Sequence, residues 1–210
     1  MQLPPAVVAL SPGTLTPAEL DAFPARVRAV ARAGVRGLLL REPALDERDF
    51  LGLARELRAV LDEEGGWLGV HDRAHLARLA GADAVHLGFR SLPPERIPAA
   101  WREHLAVGFS GHAADAPEAW EPADYLFFGP VRDTPSKRGL QEPTGFDGLS
   151  AACARAVAPI WALGGLAPDD VRAALAAGAR GVAVLGGILG SREPAERAAS
   201  FAAAAREIGA

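Results

Sequence analysis

The sequence predicts an α/β protein, a compact single-domain (β/α)8 TIM barrel over residues 1–210. Two observations support this fold. Short apolar runs alternate with longer segments of helical periodicity from one end of the 210-residue chain to the other. The short runs are apolar at successive positions, as expected for strands of a parallel sheet that helices cover. A βα unit repeated eight times closes most naturally into a barrel, although about 250 residues is the usual length.

Eight segments are predicted as strands: residues 6–10, 37–41, 67–71, 84–88, 106–110, 125–129, 160–164 and 181–185. An open doubly wound sheet is the alternative. That fold commonly carries Gly-x-Gly-x-x-Gly after its first strand, whereas here Leu10 leads into Ser11-Pro12-Gly13. The barrel is therefore preferred.

Helix start signals fall between these strands. Thr16 before Pro17 predicts the start of the first helix, Asp46 that of the second, and Pro168 with Asp169 that of the seventh. One long loop is predicted at residues 130–144. Loops of more than about 12 residues often cover or form binding sites.

Composition excludes several classes of protein. The chain is 50% hydrophobic with a formal net charge of −4, which indicates a soluble globular protein rather than a disordered one. A nucleic-acid partner is not expected, because binding to phosphates needs a concentrated basic face. A membrane partner is not expected either, because the longest apolar stretches are too short to span a bilayer. The single cysteine, Cys153, predicts a reducing, cytoplasmic location.

In a barrel of this kind the βα loops converge at the carboxyl ends of the strands, and function is expected there. The predicted strand ends are rich in polar residues: Arg41 and Glu42, His71 with Asp72 and Arg73, His86, and Ser110 with His112. The long loop adds Thr134, Ser136 and Lys137.

A phosphate site is predicted from the last two strands. Gly164-Gly165 and Gly186-Gly187 follow strands seven and eight, whose loops commonly bind phosphate in this fold. Such pairs also occur as plain tight turns. Lys137 is the only lysine among 22 basic residues, so it reflects either codon bias or a need for a flexible ammonium group. The expected ligand is a phosphorylated small molecule.

The histidines leave more than one interpretation open. His71 is a candidate acid or base, and His112 forms a hydroxyl–base pair with Ser110 if the two side chains meet. His86 is at least as well explained as a core residue. Asp72 either holds a hard cation or pairs with Arg73 or Arg41.

The sequence resembles the thiamine phosphate synthase/TenI superfamily over almost its whole length. The matching segments are Arg41-Glu42, Asp72-Arg73, Gly81 to Gly88, Gly108 to His112, Ala123 to Tyr125, Phe128 to Val131, Thr134 to Lys137, Ala162 to Leu166 and Ala177 to Val184. For the synthase branch, the resemblance implies that Arg41 and Lys137 contact a pyrophosphate and that Asp72 binds Mg²⁺.

This resemblance is incomplete at three positions. Pro43 stands where the family has a lysine, His71 where it has an asparagine, and Phe89-Arg90-Ser91 where it supplies a second metal carboxylate. These differences remove charge from the pyrophosphate half of the site. The thiazole-phosphate half is retained.

The leading interpretation is therefore a TenI-like thiazole tautomerase without a cofactor, in which His71, His112 and Lys137 act as catalytic residues. The tautomerases carry a histidine where this chain has Pro130. Thiazole phosphate would be bound by Arg41, Ser110, Thr134, Ser136, Lys137 and the two glycine pairs. The alternatives are a divergent thiamine phosphate synthase, with a pyrimidine pyrophosphate as second substrate and Mg²⁺ at Asp72, and a non-catalytic phosphate-binding barrel. Homo-oligomers are a further expectation, with the alanine-rich residues 195–208 as an interface.

Overall fold

The computed structural model of the chain describes residues 1–134 and 142–206. Eight parallel strands form a closed barrel in which each strand pairs with the next and β8 pairs with β1. The strands are β1 (Val7–Leu10), β2 (Gly37–Leu40), β3 (Trp67–His71), β4 (Ala84–Leu87), β5 (Ala106–Gly111), β6 (Tyr125–Phe128), β7 (Ile160–Leu163) and β8 (Gly181–Leu185). The predicted (β/α)8 fold is confirmed, and each strand lies within one residue of its predicted bounds.

Seven α-helices surround the barrel in the described part of the chain. They are α1 (Phe23–Arg32), α2 (Glu47–Glu63), α3 (Ala74–Leu79), α4 (Ala99–Arg102), α5 (Gly145–Arg155), α6 (Asp170–Ala176) and α7 (Pro194–Arg206). The expectation of eight βα pairs is wrong between β5 and β6, where only the 3-10 turn Pro117–Ala119 is present. Pro122, three residues after this turn, lacks the amide hydrogen that a longer helix would need there.

The predicted start of the first helix is also corrected. Thr16 begins the 3-10 turn Pro17–Glu19, where its amide and hydroxyl groups donate to the Glu19 carboxylate at 2.9 and 2.8 Å. Helix α1 begins only at Phe23. The ring of Pro24 allows a helix to start at this point but not to run through it.

The other two helix start signals are confirmed. Asp46 caps α2 as predicted, because its side chain accepts a hydrogen bond of 2.8 Å from the amide of Asp49. The start predicted at Pro168 and Asp169 is confirmed too, since α6 begins at Asp170, directly after Asp169. The Asp170 carboxylate accepts from the amide of Ala167 at 2.9 Å.

Two apolar layers stabilise the barrel. One lies between the strands and the surrounding helices. The other fills the barrel interior and consists of Val8, Leu10, Leu39, Trp67, Ala84, Ala106, Tyr125, Phe127, Trp161 and Ala183. The indole N–H groups of Trp67 and Trp161 donate to the carbonyls of Gln2 and Pro5 at 3.1 and 2.7 Å, so the chain segment before β1 packs beneath these rings.

Large interior rings require small neighbours. A β-carbon on Gly181 would lie 2.6 Å from the indole nitrogen of Trp161, and one on Gly108 would lie 2.2 Å from the Tyr125 ring. This alternation of large and small side chains fills the barrel as a packed core. The ligand site must therefore lie above these rings, at the ends of the strands. In the described residues, no helix is both long and apolar enough to cross a membrane.

Candidate active site

A pocket of about 240 Å³ lies where β2 and β3 end. Arg41 lines it from the end of β2, and His71 with Asp72 lines it from the end of β3. Another pocket, of about 260 Å³, lies beside Arg78, Trp101 and Asp83. Asp83 precedes β4, which places this second pocket at the amino-terminal side of the barrel. Active sites of this fold lie at the opposite, carboxyl-terminal side, so the pocket at Arg41 is the functional candidate.

Glu42 shapes the first wall of the site. Its side chain is only 2% exposed, and its two oxygens accept hydrogen bonds of 2.8 Å from the amides of Gly13 and Leu15. Next to it, the hydroxyl of Ser11 accepts from the amide of Arg41 at 2.8 Å. Glu42 therefore fixes the β1–α1 loop against the end of β2. The sequence does not predict this role, because nothing near a glutamate that follows a strand identifies the distant amides to which it bonds.

Arg41 provides a positive charge at the mouth of the barrel. Its guanidinium lies beside Gly13, where an added β-carbon would be 2.7 Å from Nη1. Among residues 1–134 and 142–206, the Arg41 side chain forms no hydrogen bond or ion pair. Both carboxylate oxygens of the neighbouring Glu42 already accept hydrogen bonds from backbone amides. An unpaired guanidinium with donors arranged as a fork suits a phosphate or pyrophosphate group.

Asp72 provides a negative charge in the same pocket. Ser91 donates a hydrogen bond to its Oδ1, and Nδ1 of His71 lies 3.3 Å from its Oδ2. Burial raises the pKa of the Asp72 carboxyl, but the hydrogen bonds from His71 and Ser91 outweigh this and bring the pKa below its usual value. Pairing of Asp72 with Arg73 or Arg41 is not found, since Arg73 turns instead to the β2–α2 loop.

The donor set suits a metal that a substrate helps to hold. In the part of the chain that the structure describes, no three His, Cys, Asp or Glu side chains gather as a metal cluster. Asp72 is about half exposed, with a side-chain exposure of 46%. Mg²⁺ commonly binds through one or two carboxylates together with substrate phosphates. Asp72 alone fits that mode but not a site made only of protein ligands.

The Ser110 hydroxyl contacts His86, which lies 24 positions before it in the sequence. Nε2 of His86, on the neighbouring strand β4, lies 3.0 Å from the Ser110 hydroxyl. Burial, reinforced by the neighbouring His71, holds the pKa of His86 well below its usual value. His86 is therefore neutral at pH 7 and orients the Ser110 hydroxyl at the end of β5.

His112 lies just beyond β5 and is 8% exposed. Its amide donates to the Asp115 carboxylate at 2.7 Å, and its Nδ1 lies 3.6 Å from the same oxygen. The Asp115 oxygen also accepts from the indole of Trp120 at 3.2 Å. His71, in contrast, lines the pocket beside Asp72. The predicted catalytic histidines thus sit in different surroundings.

The first glycine pair has a clear packing requirement. Gly164 and Gly165 have φ angles of +100° and +66°. A β-carbon on Gly165 would lie 2.3 Å from the carbonyl oxygen of Asp133, and the amide of Arg132 donates to the Gly164 carbonyl at 3.0 Å. These glycines allow the loop after β6 to lie directly on the end of β7.

The second pair leaves more space. Gly186 has a φ of +76°, and a β-carbon there would meet no atom within 4 Å. Within the described residues, the amides of Gly186 and Gly187 form no backbone hydrogen bond. Such amides suit an anion. Thr134 is the last residue of the first described range and is partly buried. Ser136 and Lys137 lie outside the described residues.

Comparison with known proteins agrees with this geometry. A sequence model of the thiamine monophosphate synthase family matches residues 13–188. A Geobacter sulfurreducens protein provisionally assigned as a thiamine-phosphate synthase is 40% identical over 179 residues, covering 84% of each chain. The thiamine-phosphate synthase of Thermobifida fusca is 35% identical over 177 residues, covering 82% of this chain and 81% of its own.

The solved structure of thiamine phosphate pyrophosphorylase from Pyrococcus furiosus superimposes with a TM-score of 0.80 and 25% identity, covering 96% of this chain and 95% of that one. These similarities do not support the leading tautomerase interpretation. The synthase alternative fits them better. By its match to the family over residues 13–188, the chain belongs to the thiamine monophosphate synthase family.

Proposed function

We propose that this protein is a thiamine phosphate synthase, which joins a hydroxymethylpyrimidine pyrophosphate to a thiazole phosphate. The observation that carries the proposal is that the unpaired Arg41 guanidinium and the half-exposed Asp72 carboxylate line one pocket. A cation beside a metal-binding carboxylate is the arrangement that a pyrophosphate leaving group requires. The relatives in the same family carry this activity in their names.

The reaction forms one bond and breaks another. The thiazole ring nitrogen bonds to the methylene carbon of the pyrimidine, while the bond between that carbon and the pyrophosphate oxygen breaks. The bonding electrons leave with pyrophosphate. Charge therefore builds on the leaving group, and Arg41 stabilises it from the end of β2. Both oxygens of the buried Glu42 carboxylate accept from backbone amides, which leaves that cation free for the substrate.

Mg²⁺ is the cofactor that this proposal includes. When bound, it supplies charge neutralisation for the pyrophosphate. Asp72 is the residue that would hold it, together with substrate oxygens. The hydrogen bond from Ser91 keeps one Asp72 oxygen in a fixed direction.

The thiazole phosphate is assigned to the part of the mouth formed by the ends of β6, β7 and β8. Gly186 and Gly187 offer amide groups after β8, and the loop after β6 lies against Gly165. Ser136 and Lys137 are proposed from the sequence as further phosphate contacts. Ser110, oriented by neutral His86, stands between the two halves and can hydrogen-bond a substrate ring.

Product analysis tests this proposal. The protein is incubated with both substrates and Mg²⁺, and the products are separated and identified by mass. Thiamine phosphate and pyrophosphate in equal amounts are the expected result. A parallel incubation with the thiazole carboxylate phosphate tautomer, followed by proton NMR, tests the isomerase. Isomerisation without any thiamine phosphate would overturn the synthase proposal.

A further inference from the structure

Arg73 connects two loops at the mouth of the barrel. Its Nη2 donates to the carbonyl oxygens of Leu45 and Pro43 at 2.7 and 3.3 Å, and its Nη1 lies 3.4 Å from the carbonyl oxygen of Asp46. Its Cζ lies 4.5 Å from the centre of the Phe50 ring. A residue at the end of β3 therefore holds the whole β2–α2 loop through backbone carbonyls.

The backbone at this point is strained. Asp72 and Arg73 have φ angles of +53° and +39°, and no other non-glycine residue in the described ranges has a positive φ. Such conformations persist only where their surroundings hold them. The four contacts of the Arg73 guanidinium provide that restraint. The direction of the Asp72 side chain depends on the same strained turn.

The β2–α2 loop carries the other half of the pocket. Arg41 lies at its beginning, and Glu42 fixes its first residues to the β1–α1 loop. Arg73 fixes the remainder, from Pro43 to Asp46. The two walls of the pocket are thus connected by one side chain, which lines the pocket without an ion pair to Asp72.

We propose that Arg73 is a positioning residue that sets the separation between Arg41 and Asp72 and thereby the affinity of the site for pyrophosphate. This inference rests on the proposed function of the same pocket. The guanidinium is required for its shape as well as its charge, because one planar group reaches several carbonyls and also stacks on Phe50. A lysine ammonium has three donors and no plane to stack.

Three variants separate the possible roles of Arg73. Arg73→Lys keeps the charge, Arg73→Met keeps much of the length, and Arg73→Gly relieves the positive φ while removing the contacts. Arg78→Met is the matched control. Arg78 lies on α3, the helix that begins just after Arg73, with its Cζ 5.7 Å from the centre of the Trp101 ring, at the other end of the barrel.

The affinity of each variant for inorganic pyrophosphate is measured by calorimetry with and without Mg²⁺, alongside KM values for both substrates. All three Arg73 variants are expected to bind pyrophosphate about tenfold or more weakly, since small misplacements of binding groups have large effects. The KM for the pyrimidine pyrophosphate should rise in parallel, whereas that for the thiazole phosphate should not change. Arg78→Met should resemble the wild type in every measurement.

Wild-type pyrophosphate affinity in Arg73→Gly would overturn the proposal, because the site would then keep its affinity without the guanidinium contacts. Equal increases in both KM values would also overturn it, since they would indicate a general structural role. If the wild type makes no thiamine phosphate, the proposed function fails. The calorimetric comparison with inorganic pyrophosphate still decides the role of Arg73 in that case.

Discussion

The imidazole Nε2 of His86 lies 3.0 Å from the hydroxyl oxygen of Ser110, inside the upper part of the barrel. The His86 ring is 1% exposed and packs 4.3 Å, centre to centre, from the ring of Phe127. Within the described residues, its Nδ1 has no hydrogen-bond partner. The polar ring of His86 is thus packed mainly against apolar groups.

The low pKa of His86 predicts that the protein loses stability in mild acid. Burial keeps the folded-state pKa below the unfolded value of about 6.5, with His71 lowering it and Asp72 raising it. The unfolded chain then takes up the proton first as the pH falls. The free energy of unfolding should therefore fall by up to about 1.4 kcal/mol per pH unit below pH ~6.5 from this group.

Urea denaturation at several pH values between 7.5 and about 5 measures this effect. In His86→Gln the slope attributable to His86 should disappear, so the two unfolding curves converge or cross as the pH falls. His104→Gln, at an exposed histidine, is the control and should keep the wild-type slope. An unchanged slope in His86→Gln would contradict the prediction.

Glu42→Gln should destabilise the protein by about 1–3 kcal/mol, because an amide NH₂ group would face the amide of Gly13 or Leu15 in a buried position. Equilibrium denaturation provides the measurement. Glu56→Gln, at an exposed position on α2, should change stability by no more than about 0.5 kcal/mol. Similar small effects of both substitutions would show that the Glu42 contacts contribute little.

Gly165→Ala and Gly81→Ala form a matched pair, since both glycines have a φ of +66°. Gly81 has no atom within 4 Å of an added β-carbon, so only backbone strain of about 1–2 kcal/mol is expected. At Gly165 the same strain is joined by the 2.3 Å contact with the Asp133 carbonyl, which should cost about 1–3 kcal/mol more. Equal losses in thermal or urea denaturation would argue against the close approach of the two loops.

Lys137→Ala should weaken binding of thiazole phosphate about tenfold, the effect expected when one charged hydrogen bond to phosphate is lost. Arg55→Ala, at an exposed cation on α2, is the control and should leave the affinity unchanged. Titration of thiazole phosphate into each variant gives the dissociation constants. Equal affinities would favour codon bias as the reason for the single lysine.

The barrel was predictable because its signals are local. Each strand is a short apolar run, and Asp46 caps α2 through a contact only three residues away. The eightfold βα repeat predicts a helix between β5 and β6 that is not formed. The two prolines in this segment are the local signal against it. Thr16 likewise marks the start of a 3-10 turn, whereas α1 begins separately at Phe23.

The site was predictable in position but not in its contacts. Strand ends indicated Arg41, His71, Asp72 and Ser110, since the topology alone brings them to one face. Their partners lie far along the chain: Glu42 contacts residues 27 and 29 positions away, and Ser91 reaches Asp72 from 19 positions away. Such pairings follow from the packing of the loops. The sequence therefore could not show that Ser110 meets His86 or that Arg73 turns away from Asp72.

The initial rate of pyrophosphate release, measured with each substrate and Mg²⁺ omitted in turn, tests the proposed synthase activity most directly. Release is expected only when both substrates and Mg²⁺ are present, and at a rate about a hundredfold lower in Asp72→Asn. Pyrophosphate release that does not depend on the thiazole phosphate, or a complete mixture that yields none, would contradict it.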